Sequence, residues 1–179
     1  MITAVVCAAF DAATDAAILA TRDVVRAAGV RLAEPPAHRP HITLAAARIE
    51  RAELPRVLDL AGAVAARHQP FRVALAEVGR FAGSGVIWLG PSVGSALPRL
   101  QADADAALRA DGWPRAFGEH SDPTQWIAHC TLATRVREPL LRRVQSAVRA
   151  SYEPIEARIE GLATILVGGR GDVGYVALG

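Results

Sequence analysis

The chain has 179 residues, of which 51% are hydrophobic and 21% charged. That is one globular domain, or two small lobes sharing an interface, long enough to bury well over half of its unfolded surface; a disordered, collagenous or coiled-coil chain is excluded. Twenty basic residues, every one an arginine, against eighteen acidic ones leave a net charge of +2. This balance fits a small anionic ligand or the end of an RNA better than a long duplex.

The N-terminal apolar run reads as a first strand over 2–9, because Asp11 ends it and no basic residue precedes it as in a secretion signal. A helix is predicted over 12–28, then a stiff loop through Pro35, Pro36 and Pro40 into a strand over 40–46. A helix over 51–68 and strands over 70–79 and 85–90 follow, the strands joined by a hairpin turn at Gly83-Ser84-Gly85. A helix over 95–112 leads to an irregular stretch over 113–125, and the next strand is predicted over 124–133. In the helix predicted over 137–150, Leu140, Leu141, Val144 and Val148 recur at helical spacing. The densest basic run, Arg135, Arg137, Arg142, Arg143 and Arg149, falls mostly on this helix and reads as a solvated face. Strands over 154–167 and 173–178 finish the chain. No run of about 18 apolar residues escapes a charge or proline, so no spanning helix is expected. Cys7 and Cys130 lie in apolar runs and read as buried free thiols of a reducing compartment. The chain is expected to be cytoplasmic and monomeric, without contact with a membrane.

The chain repeats itself. Residues 41–90 begin HITLAAARIE and end VIWLG; residues 129–179 begin HCTLATRVRE and end YVALG. Helix, long strand and short strand arrive at nearly the same offsets in each, which implies a duplication into two similar α+β lobes. Both copies open on His-x-Thr-Leu, at His41 to Leu44 and at His129 to Leu132. On a strand, residues i and i+2 share a face, so each histidine stands beside its own threonine. Related by a two-fold axis, His41, Thr43, His129 and Thr131 would surround one small anion. A phosphodiester needs that set: one imidazole to accept a proton, one imidazolium to donate, and donors for the non-bridging oxygens.

Other readings of these residues are simpler. Two strand histidines can be satisfied by local hydrogen bonds, and threonine is a good strand residue anywhere. His38, His41, His120, His129 and Cys130 could be zinc ligands, but they show no compact ligand spacing. His68, at a helix end, reads as a cationic cap. Arg39, Arg80 and Arg115 are candidate phosphate neighbours. Phe81, Trp88 and Tyr175 could stack on a base, with core packing the simpler account of Trp88.

These residues resemble the 2H phosphoesterases, in the bacterial branch that includes 2′-5′ RNA ligase and RNA 2′,3′-cyclic phosphodiesterase. The resemblance runs through Pro40 to Leu44, Phe71 with Val78-Gly79-Arg80-Phe81, Val86-Ile87-Trp88-Leu89-Gly90 and the second motif at His129. Ala128 stands where family members usually have proline, and Thr134 where an arginine is often found. The resemblance implies a single duplicated, bilobal α+β domain over 1–179, with two antiparallel-sheet lobes, helices packed outside and both motifs in a central cleft. It implies a metal-independent enzyme without cofactor that opens 2′,3′-cyclic phosphates on RNA 3′ ends or small nucleotides, and that could run in reverse as a 2′-5′ RNA ligase. His129 would activate water and His41 would protonate the leaving ribose oxygen, or the two would act in exchanged roles, and Thr43 and Thr131 would hold phosphate oxygens. Arg39, Arg80, Phe81 and Arg115 would contact the rest of the substrate. The alternatives are another compact phosphodiester, such as a 2′-5′ oligonucleotide or an ADP-ribose cyclic phosphate, or a groove that binds RNA ends without turnover.

Overall fold

A computed structural model describes residues 1–81, 83–92, 94–118 and 122–179; His120 lies outside them. In chain order the elements are β1 (Ile2–Phe10), α1 (Ala12–Ala27), β2 (His41–Ile49), α2 (Leu54–Ala65), β3 (Phe71–Phe81), β4 (Val86–Pro91), α3 (Leu97–Ala110), β5 (Cys130–Ala133), α4 (Leu140–Ser151), β6 (Ile155–Leu166) and β7 (Gly174–Ala177). Local chemistry sets several boundaries. The Asp11 carboxylate caps α1 by accepting from the Thr14 amide at 2.8 Å. A capping box between Glu50 and Glu53 opens the turn before α2. α4 buries Leu141, Val144 and Val148 at helical spacing.

The strands run antiparallel in the order β1-β2-β5-β4-β3-β6-β7, and β1 also pairs with β6, so six of them close a ring. One lobe is β2-β1 with the C-terminal half of β6, edged by β7; the other is β5-β4-β3 with the N-terminal half of β6. Helices α2 and α3 cover the first lobe, α1 and α4 the second. The helices α1 and α3 therefore each leave a strand of one lobe and pack on the other, which interlocks the two.

Two strand pairs lie on the pseudo-two-fold axis. Ile42 of β2 pairs with Cys130 of β5, and Val73 of β3 with Ala157 of β6; each member holds the same place in its own half. The pairing shifts the phase of the duplication. The sequence matches β4 with β7 through VIWLG and YVALG, but β4 lies between β5 and β3 as β1 lies between β2 and β6. The repeat is β1-α1-β2-α2-β3 against β4-α3-β5-α4-β6. β7 is an addition without a counterpart.

Two further expectations change. Residues 124–129 are irregular, because Asp122 makes a turn with the Thr124 amide (3.0 Å) and the Gln125 amide (2.9 Å) before the strand starts at Cys130. His68 does not cap its helix; it is buried, and its Nε2 lies 2.8 Å from the Asp103 carboxylate on α3. Cys7 and Cys130 are both free and buried. They point to opposite faces, since Cys7 shares a register position with Thr43 and Cys130 with Ile42, so no bridge can form. No helix among the described residues is long and apolar enough to cross a membrane.

Candidate active site

The two motifs are longer than four residues in structural terms: both read His-x-Thr-Leu-Ala. In the first, Cys7 pairs with Thr43 while the preceding Val6 pairs with Ala45, so Leu44 is an extra, bulged residue. In the second, Trp88 pairs with Thr131 while Ile87 pairs with Ala133, so Leu132 is bulged. A bulge adds one residue and resets the alternation. Each threonine thereby keeps its side chain on the inner face while Leu44 with Ala45, and Leu132 with Ala133, are all buried in the core behind it. Ile42 and Cys130 are also fully buried on that core face. His41, Thr43, His129 and Thr131 are each half-buried.

The register decides how the four meet. With Ile42 opposite Cys130, His41 stands opposite Thr131 and Thr43 opposite His129, all on one face. Directly opposed side chains start roughly 5 Å apart and diagonal ones roughly 7–8 Å apart. The register therefore sets two imidazoles and two hydroxyls side by side on one face about the axis. The surrounding chain holds the strands in place: the Trp126 indole donates to the Thr43 carbonyl at 3.0 Å, and the Gln101 amide to the Leu44 carbonyl at 3.2 Å.

Each ring is oriented in the same way. His41 Nδ1 lies 2.8 Å from the Arg39 carbonyl, and His129 Nδ1 lies 2.7 Å from the Ile127 carbonyl. A carbonyl only accepts, so Nδ1 carries the hydrogen and Nε2 of each neutral ring is left as the basic nitrogen. Burial holds both imidazoles below their ordinary value of 6.5, and the carbonyl bonds oppose it. For His41 smaller effects add: His38 and His129 push it down further, and Asp172 pulls it up.

The neighbourhoods differ. His129 sits in an aromatic corner, edge-on to Phe81 at 5.0 Å between centroids and 6.3 Å from Trp88, with Phe81 and Trp88 5.3 Å apart. His41 sits among polar groups, with His38 edge-on at 6.4 Å. The loop before His41 is clamped to the loop before β7: the Gly171 amide donates to the Ala37 carbonyl at 2.7 Å, and His38 Nδ1 lies 3.1 Å from the Gly171 carbonyl.

The three arginines proposed from sequence are held by carboxylates. Arg39 donates to Asp15 at 2.8 and 3.1 Å and to the Phe10 carbonyl, and lies over the Tyr175 ring at 5.8 Å. Arg80 pairs with Glu138 at 2.5 Å. Arg115 pairs with Asp105 at 2.6 Å and Asp122 at 3.2 Å, and its backbone bridges to Ala47 at the edge of β2. Of the four substrate-contact candidates, Arg39, Arg80, Arg115 and Phe81, only Phe81 is seen with its side chain packed on a motif histidine among the described residues. Trp88, read from sequence chiefly as a packing residue, packs on two glycines beside His129. Its indole lies across both: a Cβ on Gly79 would fall 2.1 Å from a ring carbon, and one on Gly90 2.6 Å. Glycines flanking a tryptophan across a hairpin were the available signal. No group of three or more His, Cys, Asp or Glu side chains among the described residues could hold a metal ion.

The family model described as the 2′-5′ RNA ligase superfamily matches residues 13–170. The chain belongs to this superfamily. Its members, the 2H phosphoesterases, are phosphoesterase- and ligase-type enzymes, so the chain is an enzyme acting on phosphodiester bonds. Similar solved structures include E. coli LigT complexed with 3′-AMP (TM-score 0.69, 18% identity, covering 99% of this chain and 98% of that one). TT0787 of Thermus thermophilus (0.67, 19%, 99% and 98%) and a protein described only as a phosphoesterase (0.66, 17%, 99% and 99%) share the fold as well. Among curated proteins, none matches the chain. The superfamily's mixed α+β architecture, with a large antiparallel sheet and helices outside it, is the one described above.

Proposed function

We propose that this enzyme hydrolyses 2′,3′-cyclic phosphates at RNA 3′ ends or on small nucleotides, by side-chain acid–base catalysis without metal. The observation that carries the reading is the pair of imidazoles on one face of the paired strands, each with Nδ1 tied to a carbonyl two residues back and Nε2 left as its basic nitrogen. His129 Nε2 takes a proton from water, whose oxygen attacks phosphorus. The P–O bond to the ribose breaks, and the His41 imidazolium gives its Nε2 proton to the departing ribose oxygen. One phosphomonoester and one ribose hydroxyl result. Thr43 and Thr131 donate to the non-bridging oxygens as charge builds on them. With a 5′-hydroxyl in place of water the same steps join an RNA end: His129 takes the hydroxyl proton, the 5′ oxygen bonds phosphorus, and the P–O bond to the ribose 3′ oxygen breaks as His41 protonates that oxygen, which leaves a 2′-5′ bond. LigT crystals that hold 3′-AMP, NADP+ and ATP support a nucleotide as the ligand of such a groove.

The test is product analysis after incubation with the four nucleoside 2′,3′-cyclic phosphates and a short RNA ending in one. Conversion to phosphomonoester is expected. Cleavage of a 2′-5′ dinucleotide or an ADP-ribose cyclic phosphate, with the cyclic ends left intact, would move the substrate to that class. Binding without turnover of any of them would make the groove a binding module.

A further inference from the structure

β6 and β3 are the long strands of the two halves, and their free edges are treated differently. Beyond the shared stretch, the outer edge of β6 is covered by β7. The corresponding edge of β3, from Ala76 to Phe81, has no partner strand among the described residues, because β6 pairs only with residues 71–75. In place of a strand there is an open pocket of about 640 Å³. It wraps the edge from the inner face, where Glu77, Gly79 and Trp88 line it, to the helix side, where Gln145, Arg149 and Tyr152 line it.

Two of these groups are built for a ligand. The Trp88 indole, laid over Gly79 and Gly90, has its centroid 6.3 Å from that of the His129 ring, and its buried Nε1 has no hydrogen-bond partner among the described residues. Arg149 is anchored by two bonds to the Val78 carbonyl, Nε at 3.0 Å and Nη2 at 2.8 Å, with Gln145 on the same oxygen at 3.3 Å. Unlike Arg39, Arg80 and Arg115, Arg149 makes no ion pair with a carboxylate among the described residues. A fixed, unneutralised guanidinium beside an aromatic bed is the pattern that holds single-stranded nucleic acid, with stacking for the base and charge for the backbone. The Glu77 carboxylate at the inner end repels a phosphate, which places the phosphate at the Arg149 end.

We propose that this pocket is a subsite for the RNA chain next to the reacting phosphate: a base stacks on Trp88, and the neighbouring phosphodiester is held by Arg149. The inference rests on the cyclic-phosphate reading and narrows it, making a single-stranded oligoribonucleotide end the preferred substrate over a mononucleotide.

The experiment compares kcat/KM for a pentanucleotide RNA ending in a 2′,3′-cyclic phosphate with that for the matching nucleoside 2′,3′-cyclic phosphate. Arg149→Gln should lower the ratio of the two at least tenfold, and Trp88→Leu by a similar factor. Arg149→Lys, which keeps the charge, should restore most of it. A ratio within twofold of wild type in a variant that melts normally would overturn the subsite. If wild type turns over neither substrate, the function reading has failed and the subsite is judged by binding. The probe is then a fluorescent pentanucleotide ending in a 3′-phosphate, followed by anisotropy. A tenfold weaker Kd in Arg149→Gln would keep the subsite, and equal affinities or no binding by wild type would end it.

Discussion

The two copies of the motif share a backbone and differ in surroundings. Both have the histidine tied through Nδ1 to the carbonyl two residues back, the threonine beside it and a bulged leucine behind. Around His129 the walls are Phe81 and Trp88, while around His41 they are His38, Arg39 and the loop carrying Asp172. Position by position, Trp88 of β4 faces Thr131 where Cys7 of β1 faces Thr43. The two copies thus keep the histidine–threonine pairs proposed to handle protons and phosphate oxygens. They diverge where the rest of a substrate would lie. A symmetrical reaction centre inside an asymmetrical groove suits a substrate whose phosphate is nearly symmetrical and whose two substituents are not.

The largest effect should come from the shared parts. His41→Ala or His129→Ala removes one proton-transfer partner and should lower kcat/KM by about 10²–10⁴. The double variant should fall far short of the product of the two losses, because both act on one transition state. Equal, near-wild-type turnover in both folded single variants would remove catalysis from this groove. Next in size, Thr43→Val and Thr131→Val take away a hydroxyl donor at nearly constant shape, with losses of about 10–10³ in kcat. If the two threonines differ by more than the two histidines do, the symmetry does not extend to the oxyanion contacts.

The pH behaviour separates the two sides. Burial holds both rings below 6.5, so both are neutral in the free protein at pH 7. Since one must be protonated, the bell in kcat/KM should peak below pH 6.5. The bell in kcat should lie at higher pH, because a bound phosphodiester anion favours the imidazolium. Phe81→Ala opens His129 to water and should raise its titration toward 6.5 while leaving His41 in place. Asp172→Asn removes the carboxylate that pulls His41 up and should lower His41 alone. Ring-proton NMR titrations would read both, and movement of the same histidine in the two variants would break the comparison. The same depressed values make the fold less stable in acid. The unfolded chain binds protons near 6.5 that the folded rings refuse, so this part of the stability is complete above 6.5. It is lost as pH falls through the folded values, which melting curves across that window would show.

Packing should distinguish the lobes more gently. Gly79→Ala drives a Cβ to 2.1 Å from the buried side of the Trp88 ring and should cost about 1–3 kcal/mol. Gly161→Ala meets Tyr175 at 2.5 Å, but that ring is 48% exposed and can swing away, so the cost should stay under about 1 kcal/mol. Denaturant melts of the two would rank them. The smallest effect expected is from chelation: with acid, base and oxyanion donors all supplied by side chains, EDTA should leave turnover unchanged. Loss on EDTA restored by a divalent ion would put a metal between the histidines.

Much of this was legible in sequence because it depends on local periodicity. The alternation His-Ile-Thr-Leu sends His41 and Thr43 one way and Ile42 the other whatever the strand pairs with, and a repeated signature announces a second strand doing the same. The last helix followed from apolar spacing along α4, whereas the Asp11 cap of α1 was seen only in the structure. The strand expected over 124–129 failed because Asp122 offered the backbone a turn that competes with a ladder. Pairing partners were beyond reach, because they depend on contacts far apart in sequence. Only the Ile42–Cys130 pair brings the two motifs onto one face about one axis. Only the register of β1 and β4 makes the leucines bulges and matches β4 with β1 instead of β7. The side-chain partners were equally hidden: an arginine looks the same in sequence whether a carboxylate neutralises it, as at Arg39, Arg80 and Arg115, or a carbonyl merely holds it, as at Arg149. The sequence alone determined which groups are offered for the proposed chemistry, since reactivity belongs to residue types at short spacing. The tertiary structure decided where they point and which charges remain free, since both are set by neighbours that the chain brings in from a distance.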